Sequence, residues 1–362
     1  MNYELESFDR VLTLVSAMGS VTDAGSSIAA RSENSAVAPG PLPSRQFTGL
    51  AIRHILAPLD GSPLSERAVP YAVALARAFS ARVTLLRVLE TPREGGAGQV
   101  DALEWEIRRA ESQGYLTALR DRIQEPGVTV DIEVHQGRAA EQILEFAGAR
   151  KADLIVLSSH GEGGATSWHL SSTTQKVIVG ARTSVLMVPV AGPETNTGAD
   201  VHVRRILLPL DCSQRAEIIL SPAVEFARAH DADLILAHIV PEPELPRRVA
   251  PSTEDLRLAE QLTERNRAEA SRYLRDVARR LGVVWKRVEV RLRVASERAH
   301  ALRELAAQEN VDLVVLSAHG STGDANKPYG AVSERFLHET VVPVIILQDF
   351  AGVMREQVGQ DH

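Results

Sequence analysis

What the chain lacks narrows its function first. A single cysteine, Cys212, excludes an intrachain disulfide framework and any zinc site built from several thiolates. A reducing cytoplasm is the expected compartment. With 40 Lys and Arg against 47 Asp and Glu, the net charge of -7 provides no field for gripping a polyanion through many phosphate contacts. Nucleic acid is not expected as the main partner. No apolar run approaches the roughly 18 residues needed to cross a bilayer, since Val341 to Leu347 is only strand-length, and no membrane association is expected. The N-terminus opens with Glu4, Glu6 and Asp9 where a secretory signal carries positive charge, and Val11 to Val15 is short for an apolar signal core. No export signal is read there.

The remaining composition is ordinary: 362 residues, 44% hydrophobic and 24% charged, enough for about two domains. Met18 to Phe47 is dominated by Ala, Ser, Gly and Pro, too poor in large apolar side chains to offset its ordering entropy. Residues 1–51 are therefore expected to form a disordered extension.

The informative feature is a long internal repeat. Arg53-His54-Ile55-Leu56-Ala57-Pro58-Leu59-Asp60-Gly61-Ser62 matches Arg204-Arg205-Ile206-Leu207-Leu208-Pro209-Leu210-Asp211-Cys212-Ser213. Further on, Ala152 to Gly161, ending Ser158-Ser159-His160-Gly161, matches Val311 to Gly320, ending Ser317-Ala318-His319-Gly320. A third pair sets Ser184 to Val188 beside Pro343 to Leu347. Units this long indicate a duplicated domain rather than a solenoid. The expected division is domain one over 52–191, a linker over 192–203, domain two over 204–348 and a tail over 349–362.

Short β-branched runs alternate with longer amphipathic segments in each half, the pattern of βα units around a parallel sheet. Strands are expected at His54–Leu59, Arg82–Leu89, Val128–His135, Leu154–Ser158 and Val185–Val190. Helices are expected at Ser65–Phe79, Ala102–Ile123, Ala139–Ala149 and Ser172–Gly180. The second half repeats the plan with a longer helix, Thr253–Leu281, which takes up most of its insertion. In an open parallel sheet, ligands bind beyond the carboxyl ends of the strands where the strand order reverses. Both repeated motifs fall there: Asp60 and Asp211 end their first strands, and the Ser-His-Gly segments end their fourth. A flexible loop leading to a helix start offers unpaired amides to an anion.

At these residues the sequence resembles the universal stress protein family, especially its tandem members, over nearly everything from Arg53 to Leu347. Pro58 to Ala68 carries the family's Pro-Leu-Asp-Gly-Ser and Ser-Glu-x-Ala, and a strand similar to its closing Pro-Val-x-x-Val recurs in both halves, as Ser184 to Val188 and Pro343 to Leu347. The resemblance implies an α/β fold: two Rossmann-like domains, each a five-stranded parallel sheet of order 3-2-1-4-5. It also implies pairing of the two last strands into an internal pseudo-dimer, with homodimers of the chain as a further expectation. Many members bind ATP through G-x-x-G-x9-G-[ST]. The matching positions are Ser158, Gly161, Ser171 and Ser172 in the first half, and Ser317, Gly320, Gly330 and Ala331 in the second. The adenine side maps to Pro58, Asp60 and Val88, and to Pro209, Asp211 and Ile239. The implied function is binding of ATP or a related adenine nucleotide in stress response, with any magnesium carried by the phosphates.

Neither loop keeps the full pattern. Serine replaces the first glycine at Ser158 and Ser317. Ser171 removes a glycine in the first half, while Ala331 removes a hydroxyl in the second, where Ser333 is the expected substitute. The glycine spacing favours the second half.

Plainer readings stand beside these. Asp60 and Asp211 can serve as loop caps, and His160 and His319 can orient their loops rather than act as bases. Trp168 and His169 can pack rather than cover a ligand, and Cys212 can be inert rather than oxidisable. The mixed charges of Glu254 to Arg280 read as a solvated helix face. No Walker lysine, metal-holding carboxylate pair or nucleophile elbow is present, so binding is expected rather than turnover. The alternatives are a scaffold that binds proteins through degenerate loops, and a slow ATPase.

Overall fold

The computed structural model describes residues 52–90, 102–123, 125–164, 170–190, 201–245, 250–320 and 328–348. The expected disorder of 1–51, the Trp168 and His169 reading and the tail lie outside these residues.

In the first half the strands are β1 (His54–Leu59), β2 (Arg82–Leu89), β3 (Val130–Gln136), β4 (Leu154–Ser158) and β5 (Ser184–Val188). The helices are α1 (Pro63–Glu66), α2 (Val69–Phe79), α3 (Ala102–Arg122), α4 (Ala139–Ala149) and α5 (Ser172–Gly180). The single helix expected over Ser65–Phe79 is broken into α1 and α2. Pro70 falls in the first turn of α2, where a missing N–H costs nothing, whereas within a continuous helix it would cost a hydrogen bond. The second half holds β6 (Arg205–Pro209), a 3-10 turn over Ala216–Ile219, α6 (Leu220–His230), β7 (Asp233–Pro241), α7 (Thr253–Gly282), β8 (Val288–Ala295), α8 (Arg298–Gln308), β9 (Leu313–Ser317), α9 (Ala331–Glu339) and β10 (Val344–Leu347).

All ten strands form one sheet of order β3-β2-β1-β4-β5-β10-β9-β6-β7-β8. Each half thus has the order 3-2-1-4-5, and every neighbouring pair is parallel except the seam between the halves. There β5 and β10 run antiparallel, with Val185, Leu186 and Met187 opposite Ile346, Ile345 and Val344. Pairing these strands removes two apolar sheet edges at once.

Central strands β4, β5, β9 and β10 are buried along their whole length, which follows from helices covering both faces. One core layer lies between the sheet and α2, α3, α6 and α7, and includes Leu75, Leu116, Leu119, Phe226, Leu274 and Val277. The other lies beneath α4, α5, α8 and α9, and includes Phe146, Ile178, Leu305 and Phe336. The halves meet a second time above the seam, where Phe79 of α2 stacks on Phe226 of α6 with ring centroids 6.5 Å apart.

Candidate functional site

Strand β1 ends at Leu59, opposite Arg87, while β2 continues through Val88 and Leu89. Beyond that point the edge of β2 facing β1 has no partner strand, so the backbone near Val88 is open to a ligand. The same step occurs in the second half, where β6 ends at Pro209 opposite Ala237 and β7 runs on past Ile239.

Asp60 fastens this corner. One carboxylate oxygen accepts from the Ser62 amide at 2.9 Å and the Ser62 hydroxyl at 2.6 Å. The other accepts from the Glu162 amide at 2.7 Å, in the loop that follows β4. Burial alone would raise this carboxyl, but the hydrogen bonds from Ser62 and Glu162 hold it below the ordinary aspartate value. Gly161 is glycine for a matching reason: a Cβ there would overlap Asp60 Oδ2. Asp211 repeats the arrangement, accepting from the amide and hydroxyl of Ser213 at 3.0 and 2.6 Å, and a Cβ at Gly320 would overlap its Oδ2. The capping role is thus present in both copies, and it leaves fewer lone pairs on Asp60 for a ligand.

The serine departures take on physical meaning in this setting. Ser171 is the N-cap of α5, with φ -57° and ψ 153°, and its hydroxyl accepts from the Thr174 amide at 3.1 Å. Its partner position, Gly330, has φ -72°, so neither copy demands a glycine-only backbone. The expected loss of backbone freedom at Ser171 is therefore corrected to a gain of a cap. Ser158 accepts weakly from the His160 amide at 3.4 Å, and Ser317 donates to the His319 carbonyl at 2.6 Å, so both hydroxyls turn toward their own loops. Ser333 does not replace the hydroxyl missing at Ala331. It is buried, and it donates at 2.9 Å to the Ser317 carbonyl, the same tie that Thr174 makes to Ser158 in the first half.

In the first half these elements enclose a cleft of about 790 Å³. Its walls include Pro58, Asp60, Val88, Ser158, Gly161, Ser171 and Ser172, so the structure gathers every first-half site residue expected from sequence. Among the described residues, no hydrogen bond occupies the amides of Gly161, Gly163, Ser172 and Thr173. Two of these amides begin α5, where the helix dipole adds a partial positive charge. The second-half loop over 321–327 lies outside the described residues, and with it the glycine-spacing preference for that half.

Sequence reasoning missed one wall. Arg108, Glu111 and Ser112 of α3 line the cleft, as does Arg87 of β2. Arg87 had a signal: it is the one charged residue within the apolar run Val83-Thr84-Leu85-Leu86-Arg87-Val88-Leu89 that follows Arg82 at the start of β2. Its counterpart beside Cys212 is His238, whose Nδ1 lies 2.7 Å from the Leu210 carbonyl. Burial keeps that imidazole's pKa below the ordinary histidine value. Burial likewise pushes the Cys212 thiol up to about 11, with the Asp211 charge adding to the effect, as the inert reading requires. No group of three or more His, Cys, Asp or Glu able to hold a metal occurs among the described residues, and none of their helices is long and apolar enough to cross a membrane.

Comparison with known proteins agrees with this architecture. The model of the universal stress protein family matches residues 51–189 and 202–348. A universal stress protein of Methanocaldococcus jannaschii is 32% identical over 142 residues, spanning 38% of this chain and 81% of its own. One from Mycolicibacterium smegmatis is 25% identical over 310 residues, spanning 81% of this chain and 96% of its own. Among solved structures, a functionally unknown protein from Pseudomonas aeruginosa superimposes with a TM-score of 0.61 at 17% identity, covering 86% of this chain and 99% of that one.

Proposed function

Since the chain belongs to the universal stress protein family, with one copy of the family's domain in each half, we propose that its first half binds ATP or a related adenine nucleotide. The observation carrying this reading is the set of four uncommitted amides, at Gly161, Gly163, Ser172 and Thr173, on the wall of a cleft that also holds Asp60 and Val88. Amides at a helix start suit phosphate oxygens, and the open edge of β2 at Val88 suits the hydrogen-bonding edge of adenine. The residues present therefore fit the nucleotide. Ser172, exposed at the first position of α5, adds a hydroxyl near the phosphates. Any magnesium would arrive with those phosphates, because magnesium usually keeps its waters and few protein ligands.

Occupancy of the cleft would engage the amides of Gly161 and Gly163 after β4 and so alter the surface offered to partners in a stress response. Titration calorimetry of the full chain with ATP tests the binding step. Heat with a thermal upshift is expected, and absence of both at millimolar ATP would remove the nucleotide and leave a binding scaffold. A phosphate-release assay separates binding from slow hydrolysis.

A further inference from the structure

Arg87 is the unexplained group in this cleft. Its Nε and Nη1 are buried and make no hydrogen bond, and among the described residues no carboxylate lies within ion-pair distance. Arg87 is half-buried as a whole, so these two nitrogens are taken out of water with no protein partner in return, which is costly unless something else completes them. Its position is held by shape: a Cβ on Gly61 would come within 2.5 Å of Nη1, so the glycine, at φ 83°, leaves the space that the guanidinium fills. His160 Nε2, on the same cleft wall, is also buried and unpartnered.

Residues paired across a sheet share a face. Arg87 pairs with Leu59 and Val134, both packed in the layer beneath α2 and α3. Helix α5 packs on the opposite face through Val177 and Ile178. The free amides at the start of α5 and the unpartnered guanidinium therefore flank the carboxyl end of the sheet from two sides. The second half has a neutral, internally bonded histidine at the corresponding position, so this feature is not general to the duplicated unit.

Resting on the nucleotide reading above, we propose that the first-half cleft takes a nucleotide with two separated anionic groups: the 5′ phosphate at the amides before α5, and a second phosphate on the ribose side met by Arg87. The test is titration calorimetry of the full chain with AMP, adenosine 2′,5′-bisphosphate and adenosine 3′,5′-bisphosphate, repeated on Arg87→Gln and Arg87→Lys. At least one bisphosphate is expected to bind about ten-fold or more tighter than AMP, the scale of a charge-assisted hydrogen bond. Arg87→Gln should reduce that advantage to under about three-fold, and Arg87→Lys should restore part of it. AMP binding with no bisphosphate advantage, or an advantage that survives in Arg87→Gln, overturns the inference and leaves the nucleotide reading standing. No binding of AMP, ATP or either bisphosphate overturns both.

Discussion

Two glycines and two aspartates carry the local logic of both sites. Gly161 and Gly320 lie against the carboxylates of Asp60 and Asp211 so closely that any side chain must displace them. Gly161→Ala should destabilise the fold by about 1–3 kcal/mol, the usual cost of overpacking, measured by urea denaturation. A change below about 0.5 kcal/mol would show that the close approach is not needed. Cys212 makes the opposite case, an L-residue at φ 67° where the first half has Gly61 at φ 83°. With its pKa near 11, this thiol should react slowly with a disulfide reagent at pH 7 and accelerate steadily up to pH 10. A fast reaction at neutral pH would contradict that raised pKa.

His54 supplies a pH dependence. Its side chain is buried, with Nε2 2.9 Å from Thr84 Oγ1 and Nδ1 3.2 Å from the Arg150 carbonyl, and burial lowers its pKa. The unfolded chain then binds this proton more readily than the folded one, so stability is full above the ordinary value near 6.5 and falls as pH drops below it. His54→Gln should flatten that part of a stability-versus-pH curve. At this scale the sequence was legible wherever a motif repeats, as at Asp60 and Gly161. Arg87 escaped notice because its meaning lies in what fails to surround it, which no repeat displays.

Secondary-structure elements were readable in proportion to how strongly one face is buried. Ala139–Ala149 and Ser172–Gly180 form helices over the expected residues, since each begins just after an extended residue and packs a clear apolar stripe. β3 runs over Val130–Gln136 rather than from Val128. It is an edge strand buried only in part, so its ends are set by pairing with Val83 to Leu89 rather than by its own pattern. Helix α7 shows how little an amphipathic pattern says about which neighbour exists. Its first buried residue is Ala270, so the turns from Thr253 to Glu269 stand off the core with Leu256, Leu258 and Leu262 exposed. A capping box formed by Ser252 and Asp255 closes that end. Ser252→Ala should speed amide hydrogen exchange in the first turns of α7, reflecting a local loss of about 1 kcal/mol, with little change in global stability. Unchanged exchange would mean that the projecting turns are secured by something other than their cap.

Across the whole molecule, the seam between β5 and β10 decides whether the chain behaves as one body. Ile345 faces Leu186 in the antiparallel register, and both are buried. Ile345→Lys would place an unpaired ammonium in that seam and should cost more than about 3 kcal/mol, lowering the thermal midpoint followed by circular dichroism. A midpoint within two degrees of the parent would mean that the seam contributes little. The topology was legible from the repeat and its resemblance, because duplication copies strand order along with residues. The stacking of Phe79 on Phe226 was not, since nothing in either copy alone marks a contact between them.

The antiparallel seam also sets where the two crevices can look. Strands of the first half and strands of the second point their carboxyl ends in opposite directions, so the openings lie on opposite rims of one continuous plate. If filling one crevice is felt at its twin, the described contacts that join the halves are the β5–β10 seam and the stack of Phe79 on Phe226, and a message has to pass through these.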